Sequence, residues 1–342
     1  MRTARPRRRA RARTRVGLAG VALLAVSCTP QSTVWGAGEG ADRIATLNWF
    51  LIVASTVVFG VVVAIMLAAL FHNHRHATRE VDLSPRSLGW VVFGGAVFPA
   101  AILIVVFVVG LHIMSRFPTP VADHQLGIRV TAHQWWWQIE YDVPATHQSF
   151  MTANELHVPV GVPVRVLLMS ADVIHSFWVP RLQGKLDVIP GDTNDIRLLA
   201  REPGIYRGQC AEFCGLQHAH MGIVVVADQP ADFAAWMAKQ TAPSTSPRDS
   251  VGRLGQHEFE TGVCAACHTV RGTSAAGAVG PDLTHVGSRT TIGAGLLPNT
   301  LASIEGWIAN PQALKPGIIM PPNTQFNGAE LLALATYISS LK

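Results

Sequence analysis

The sequence predicts a multidomain chain of three unlike parts: a two-helix transmembrane hairpin, an all-β sandwich and a small all-α domain. Three observations predict it. Two nearly uncharged apolar runs stand at residues 47–71 and 88–113. Short alternating segments rich in Val, Ile and aromatics follow after Pro118 and Pro120. A Ser/Thr/Pro-rich stretch at 240–250, QTAPSTSPRDS, then sets off a Gly-rich, loop-rich C-terminal part.

With 342 residues, 49% of them apolar, the chain is long enough for two or three domains and too apolar for an ordinary soluble protein. The surplus of +5 does not mark a nucleic-acid binder, because Arg2, Arg5, Arg7, Arg8, Arg9, Arg11, Arg13 and Arg15 crowd the first fifteen residues and outnumber it. No nucleic-acid partner is expected. That basic stretch precedes the apolar run 16–26, then Ser27 and Cys28, which is the form of a secretory signal over residues 1–28. With Cys28 at the cut, the segment is similar to a lipoprotein signal. A cut nearby and an unprocessed tail stay open beside it.

Each later apolar run is long enough to cross about 30 Å of hydrocarbon as a helix, and the hairpin is assigned to 41–117. The connecting loop carries Arg75, Arg79 and Arg86 against Glu80 and Asp82. Arginines set orientation, so the loop is expected on the cytoplasmic side, with both hairpin ends outside. His72, His74 and His76 read as a polar cap at the interface rather than a metal site.

The alternating segments IRVTAHQWWWQIEY, NELHVPVGVPVRVLLMS, HSFWVP, GKLDVIPG, NDIRLLA, GIYRGQC and MGIVVVA, punctuated by Gly and Pro, give the sandwich, residues 122–239, outside the membrane. After the 240–250 linker, the last domain, 251–342, shows helical stretches near 251–264, 300–309 and 328–341. It is small for a free-standing core, so a bound cofactor is expected to supply packing.

The five cysteines each need an account, since an odd number cannot all pair. In CAEFCGLQHAHM, residues 210–221, Cys210, Cys214, His218 and Met221 are all ligand-forming. Soft sulfur with imidazole selects copper or zinc, and the thioether points to copper. Two thiolates on one tight loop can each bridge two copper ions. A binuclear site needs a second imidazole from another strand, which His175 in DVIHSFWVP supplies, and the Glu212 carbonyl is a further donor. The competing account of the two thiols is a disulfide, which the spacing permits. His220 reads as exposed or as a support to the ligands.

HSFWVP, KLDVIPG and RGQCAEFCGLQHAHM resemble the signature of the dicopper domain of cytochrome oxidase subunit II, and the resemblance covers residues 47–227. It implies a cupredoxin-like Greek-key sandwich holding the two coppers of a CuA centre. His175 and Met221 would hold one, His218 and the Glu212 carbonyl the other, with Cys210 and Cys214 bridging. It also implies that the Glu212 side chain faces subunit I and binds magnesium there, and that Trp135 in AHQWWWQIEY is where electrons enter. The plainer account of the three tryptophans is that alternate ones fill the β core. The family often carries a glutamate before the second helix for proton uptake. Here that region reads SPRSLGWVV, so the role is not transferred to Glu80 or Asp82.

CAACH at 264–268 is the attachment signature of covalent haem c, with Cys264 and Cys267 as thioethers and His268 on the iron. A zinc or redox CxxC is the competing account. Met320 in IIMPP is the natural sixth ligand, and His285 is the alternative. GPDL at 280–283 resembles the class I cytochrome c loop in which a proline carbonyl, here that of Pro281, holds the ligating imidazole.

These features imply the two-pass subunit of a bacterial plasma membrane oxidase through which electrons enter. Cytochrome c or a bc complex is the donor, and haem c and CuA lead to subunit I, which with other oxidase subunits reduces oxygen and pumps protons. Two alternatives belong to other classes. A copper-delivery protein needs neither Met221 nor a fused haem. A stand-alone membrane redox carrier for another reductase leaves the hairpin unexplained.

Overall fold

The structure, a computed structural model, describes residues 31–72, 84–117, 126–143 and 148–342. Cys28 with its signal segment, the loop residues His74, Arg75, His76, Arg79, Glu80 and Asp82, and Pro118 and Pro120 lie outside the described residues.

Helix α1, Glu39–His72, starts ahead of the apolar run. Its first turn stands on the β domain: Ala41 N donates to Leu182 O at 3.2 Å, which satisfies one of the N–H groups a helix start leaves open. Glu39 reaches Arg197 at 3.3 Å, and Asp42 pairs with Arg201. Both acids also favour the positive end of the helix dipole. Helix α2, Pro85–Met114, opens on Pro85 after the Ser84 cap. It widens to a π turn at Phe93–Val97, sequence FGGAV, ahead of Pro99. Pro99 has no N–H and its ring crowds the carbonyl four residues back, a conflict that a wider turn at Gly94 and Gly95 absorbs. Both helices are long and apolar enough to cross a membrane, and the most apolar window of each is unburied by the rest of the chain.

Among the described residues, ten strands make the β domain: β1 Gly127–His133, β2 Trp136–Val143, β3 Gln148–Ala153, β4 Glu155–Pro159, β5 Val164–Ser170, β6 His175–Trp178, β7 Leu186–Val188, β8 Asn194–Leu198, β9 Gly204–Cys210 and β10 Gly222–Asp228. They form two five-stranded sheets, ordered β3-β2-β1-β5-β8 and β4-β10-β9-β6-β7. Alternate residues of both sheets, among them Val130, Trp137, Ile139, Leu168, Phe177, Ile223 and Val225, meet in one core, as the period-two pattern requires.

Helix α3, Pro230–Thr241, closes the stretch assigned to the sandwich, where no helix is expected from the sequence. Its inward positions, Phe233, Trp236, Met237 and Gln240, fall at helical spacing, and Trp236 stacks on His157 with ring centres 4.1 Å apart. The C-terminal domain holds α4 Ser250–Thr261, α5 Leu301–Ala309, α6 Pro311–Leu314 and α7 Gly328–Ser340. Asp249 caps α4, and Asn327 with Glu330 forms a capping box on α7. Helices α4 and α7 cross at Phe259 and Tyr337, whose rings lie 5.6 Å apart, over a core that includes Ile304, Ile308 and Leu334.

Candidate redox-metal sites

Strand pairing builds the first site. Residue Phe177 of β6 pairs with Cys210 at the end of β9, which sets His175 beside the thiol, and β10 begins directly after Met221. The loop between closes as a strap, with Cys210 N donating to Met221 O at 2.9 Å and Ala211 N to Ser176 O at 2.9 Å. Within it the Cys210 and Cys214 sulfurs lie 3.8 Å apart. A disulfide holds its sulfurs at about 2.05 Å, so the two thiols are unbonded. Cys210 Sγ is 3.8 Å from His175 Nδ1 and 3.2 Å from Glu212 O. Cys214 Sγ is 3.6 Å from His218 Nδ1 and 3.8 Å from Met221 Sδ. The ligand atoms of His175, Cys210 and Cys214 all lie within 4.8 Å of one another and are buried.

Two thiols, two ring nitrogens, a thioether and a carbonyl facing one small volume suit soft, imidazole-tolerant metal ions. Contact within the thiol pair favours a thiolate at Cys210 and pushes the Cys214 thiol up. Cys210 is held well below the usual thiol range, chiefly by the hydrogen bond from Cys214 and, against burial, by His175.

Asp172 is a participant that the sequence reading missed. His175 Nε2 lies 2.8 Å from Asp172 Oδ1, so that ring nitrogen donates to the carboxylate and Nδ1 faces the Cys210 sulfur, where a bound metal would take the place of its proton. Burial works against the Asp172 carboxylate, but hydrogen bonds from His175 and from the N–H groups of Val173 and Gln134 hold its pKa below the usual value. The available signal was a carboxylate three residues ahead of a candidate ligand. His220 stays outside: its Nδ1 is 2.7 Å from Gln217 Oε1 and its ring is exposed.

The second site is a cavity of about 430 Å³, largely apolar, whose wall includes Cys264, Cys267, His268 and Met320. His268 Nδ1 donates to Pro281 O at 2.9 Å, leaving Nε2 as the lone-pair nitrogen. Burial lowers the His268 pKa and so favours the neutral ring a metal needs. Gly280 makes this packing possible, since a Cβ there would sit 2.6 Å from His268 Cε1. Arg289, also in the wall, has a buried Nε without a partner among the described residues, and its Nη2 donates to Asp282 O at 2.6 Å. His285 points elsewhere: Nε2 donates to Ala242 O at 3.0 Å, and the residue is absent from the cavity wall.

The two sites share a boundary. Trp135 is at the tip of the two-residue turn between β1 and β2, where His133 pairs with Trp136, and both Trp135 and Trp136 line the cavity. The Trp135 indole donates to Cys214 O at 2.9 Å. Gly215, at φ +113°, lets the indole lie against the Cys210–Met221 loop; a Cβ there would be 3.1 Å from Trp135 Cζ2. Trp137 is the tryptophan that fills the β core, fully buried against Phe177.

Fold and paired sites together define a membrane-anchored chain of cupredoxin and cytochrome type. The family described as "Cytochrome C oxidase subunit II, periplasmic domain" matches residues 126–228, and the family "Cytochrome c" matches 253–342. Cytochrome c oxidase subunit 2 of Alkalihalophilus pseudofirmus is 39% identical over 229 residues, covering 67% of this chain and 65% of that protein. The subunit of the same name from Arabidopsis thaliana is 31% identical over 207 residues, covering 53% of this chain and 78% of that protein. That of Bacillus subtilis is 28% identical over 335 residues, 91% of this chain and 92% of the other. The chain belongs to the cytochrome c oxidase subunit 2 family.

Proposed function

We propose that this chain is the subunit of a haem–copper oxidase through which electrons enter, taking them from cytochrome c or a bc complex and passing them by haem c and a dicopper CuA centre to subunit I. Oxygen reduction to water and proton pumping then belong to subunit I and the other oxidase subunits. The hairpin anchors the chain in a bacterial plasma membrane with both metal domains on the outer face.

The observation that carries this reading is the pair of unbonded, buried sulfurs 3.8 Å apart, ringed by two imidazole nitrogens, a thioether and a carbonyl. Bound copper and haem each supply one-electron uptake and release without bond making. The residues set how small the rearrangement is. Cys210 and Cys214, with His175, Met221, His218 and the Glu212 carbonyl, would hold the copper. Asp172 fixes the His175 ring, and Pro281 O fixes the His268 ring; His268 and Met320 would hold the haem iron, and Cys264 with Cys267 would anchor the haem covalently. The Glu212 side chain, with Lys185 Nζ 3.9 Å away, is partly exposed and open to a magnesium ion at the subunit I surface. Trp135, between the haem cavity and the Cys214 carbonyl, is the residue through which electrons reach the copper.

The test is electron spin resonance of the full chain in detergent after copper loading. A hyperfine pattern from two equivalent copper nuclei is expected, lost in Cys214→Ser; a single-copper pattern in the wild type would reject the reading.

A further inference from the structure

We infer that Lys315 locks the C-terminal domain onto the β domain and so positions Trp135 between the two redox sites, a role that rests on the relay proposed above.

Lys315 follows α6 in the C-terminal domain, yet its side chain is inserted across the domain boundary and is 2% exposed. Nζ donates to Trp135 O at 2.8 Å and to Gly293 O at 3.0 Å, one carbonyl from each domain. Lysine is rarely buried this fully without a carboxylate partner, and among the described residues no carboxylate acts on it. Burial pushes the ammonium down to about 7. An ammonium surrendering this much hydration for two neutral carbonyls is a costly arrangement. It is retained where those two carbonyls have to be held in register.

The chain around Lys315 makes the register matter. Pro316 O accepts from Gln217 Nε2 at 2.7 Å, so the next residue grips the copper loop. Gly317, at φ +90°, passes so close that a Cβ would stand 3.1 Å from Leu216 and 3.7 Å from Trp135 Cη2. Met320, the proposed iron ligand, follows after Ile318 and Ile319, which also line the cavity. One short strap therefore runs from the Trp135 carbonyl, over the copper loop, to the haem cavity. Other contacts across the boundary, among them Gly222 N to Ala294 O at 2.9 Å, Arg207 Nη2 to Gly295 O at 3.3 Å and Thr290 N to Glu155 Oε2 at 2.8 Å, hold the domains together but do not touch Trp135. The step served is a single electron leaving the haem iron, which is oxidised, and arriving on the copper pair, which is reduced, with no bond or proton change.

The test compares wild type with Lys315→Met, which keeps the stem and removes charge and donors, and with the milder Lys315→Gln, which keeps a donor. In the haem-bearing, copper-free chain, hydrogen exchange of residues 134–137 and 315–320 is expected to rise at least tenfold in Lys315→Met and less in Lys315→Gln, while the haem spectrum and exchange in α4 and α7 stay as in wild type. In the copper-loaded chain, transfer from haem to copper after rapid haem reduction slows in the same order. Unchanged exchange in both segments together with wild-type transfer would overturn the inference. If Lys315→Met does not take up haem, Lys315→Gln carries both measurements with the same criteria. Wild type that shows no transfer from haem to copper, with exchange still raised in the variants, overturns the relay and leaves Lys315 as a structural lock alone.

Discussion

The indole of Trp135 donates to the carbonyl of Cys214 at 2.9 Å while its own ring forms part of the haem-cavity wall. One side chain thus touches the copper loop and the haem space at once. Trp135→Phe keeps an aromatic wall and removes the hydrogen bond. It should cost about 1 kcal/mol of stability and slow electron passage from haem to copper without changing either optical spectrum. Trp135→Ala should slow it further. Rapid-reduction kinetics in the full chain checks both; equal rates in all three proteins would remove Trp135 from the route.

Asp172 orients His175 from behind. In Asp172→Asn the amide no longer demands a proton from Nε2, so the ring can turn or present the wrong tautomer. Copper affinity should fall roughly 10- to 100-fold, the range for such outer partners. Asp172→Ala, which leaves nothing to hold the ring, should fall at least as far. Competition with a chelator of known affinity reads the change, and haem content should be untouched.

Much of this was legible in the sequence because it rests on short-range spacing. The run from Cys210 to Met221 is one loop, and Cys264, Cys267 and His268 are one turn. Apolar length marked the membrane helices. What escaped depends on contacts distant in sequence. Lys315 and Trp135 lie 180 residues apart, and nothing local to either marks the pairing. Helix α3 was legible in principle, since Phe233, Trp236, Met237 and Gln240 keep helical spacing, but one short amphipathic helix is easily passed over at the end of a run of strands. Arg289 has no motif; its part in the cavity wall follows from a buried Nε left without a partner among the described residues.

Gly280 is predicted to be intolerant of any side chain. In Gly280→Ala the new Cβ would lie 2.6 Å from His268 Cε1, so either the imidazole leaves Pro281 O or the loop moves. Overpacking of this kind costs about 1–3 kcal/mol. The strained imidazole should show as a weakened iron bond: covalent haem on a denaturing gel stays near wild type, because Cys264 and Cys267 are unaffected, while the ferrous spectrum changes and the haem binds carbon monoxide. A Cys264→Ala, Cys267→Ala double variant should give the opposite result, with loss of covalent stain. A Gly280→Ala protein with a wild-type spectrum and no carbon monoxide binding would contradict the packing argument.

The last prediction concerns pH. His157 lies between two carboxylates, with Nδ1 2.7 Å from Asp228 Oδ2 and Nε2 3.3 Å from Glu155 Oε1. Glu155 Oε2 in turn accepts from Thr290 N at 2.8 Å and Thr290 Oγ1 at 2.5 Å, across the domain boundary. Burial acts to discharge His157, but its bonds to Asp228 and Glu155 outweigh burial and raise its pKa above the ordinary 6.5. Burial likewise acts to protonate Glu155, and the bonds from His157 and Thr290 outweigh it, so its pKa falls below the ordinary 4.5. A raised histidine contributes stability that is complete below 6.5 and disappears as pH rises through its folded value. A depressed glutamate contributes stability that is complete above 4.5 and disappears as pH falls through its folded value. Together they give a plateau between 4.5 and 6.5 with a decline on each side, about 1.4 kcal/mol for each unit by which a pKa is displaced. Thermal unfolding of the full chain against pH should show that plateau. His157→Gln should remove the alkaline decline, and Glu155→Gln the acid one, with hydrogen exchange at Thr290 rising in the latter because its acceptor no longer carries charge. Unfolding curves that run parallel to wild type at every pH in both variants would dismiss the cluster as a source of pH dependence.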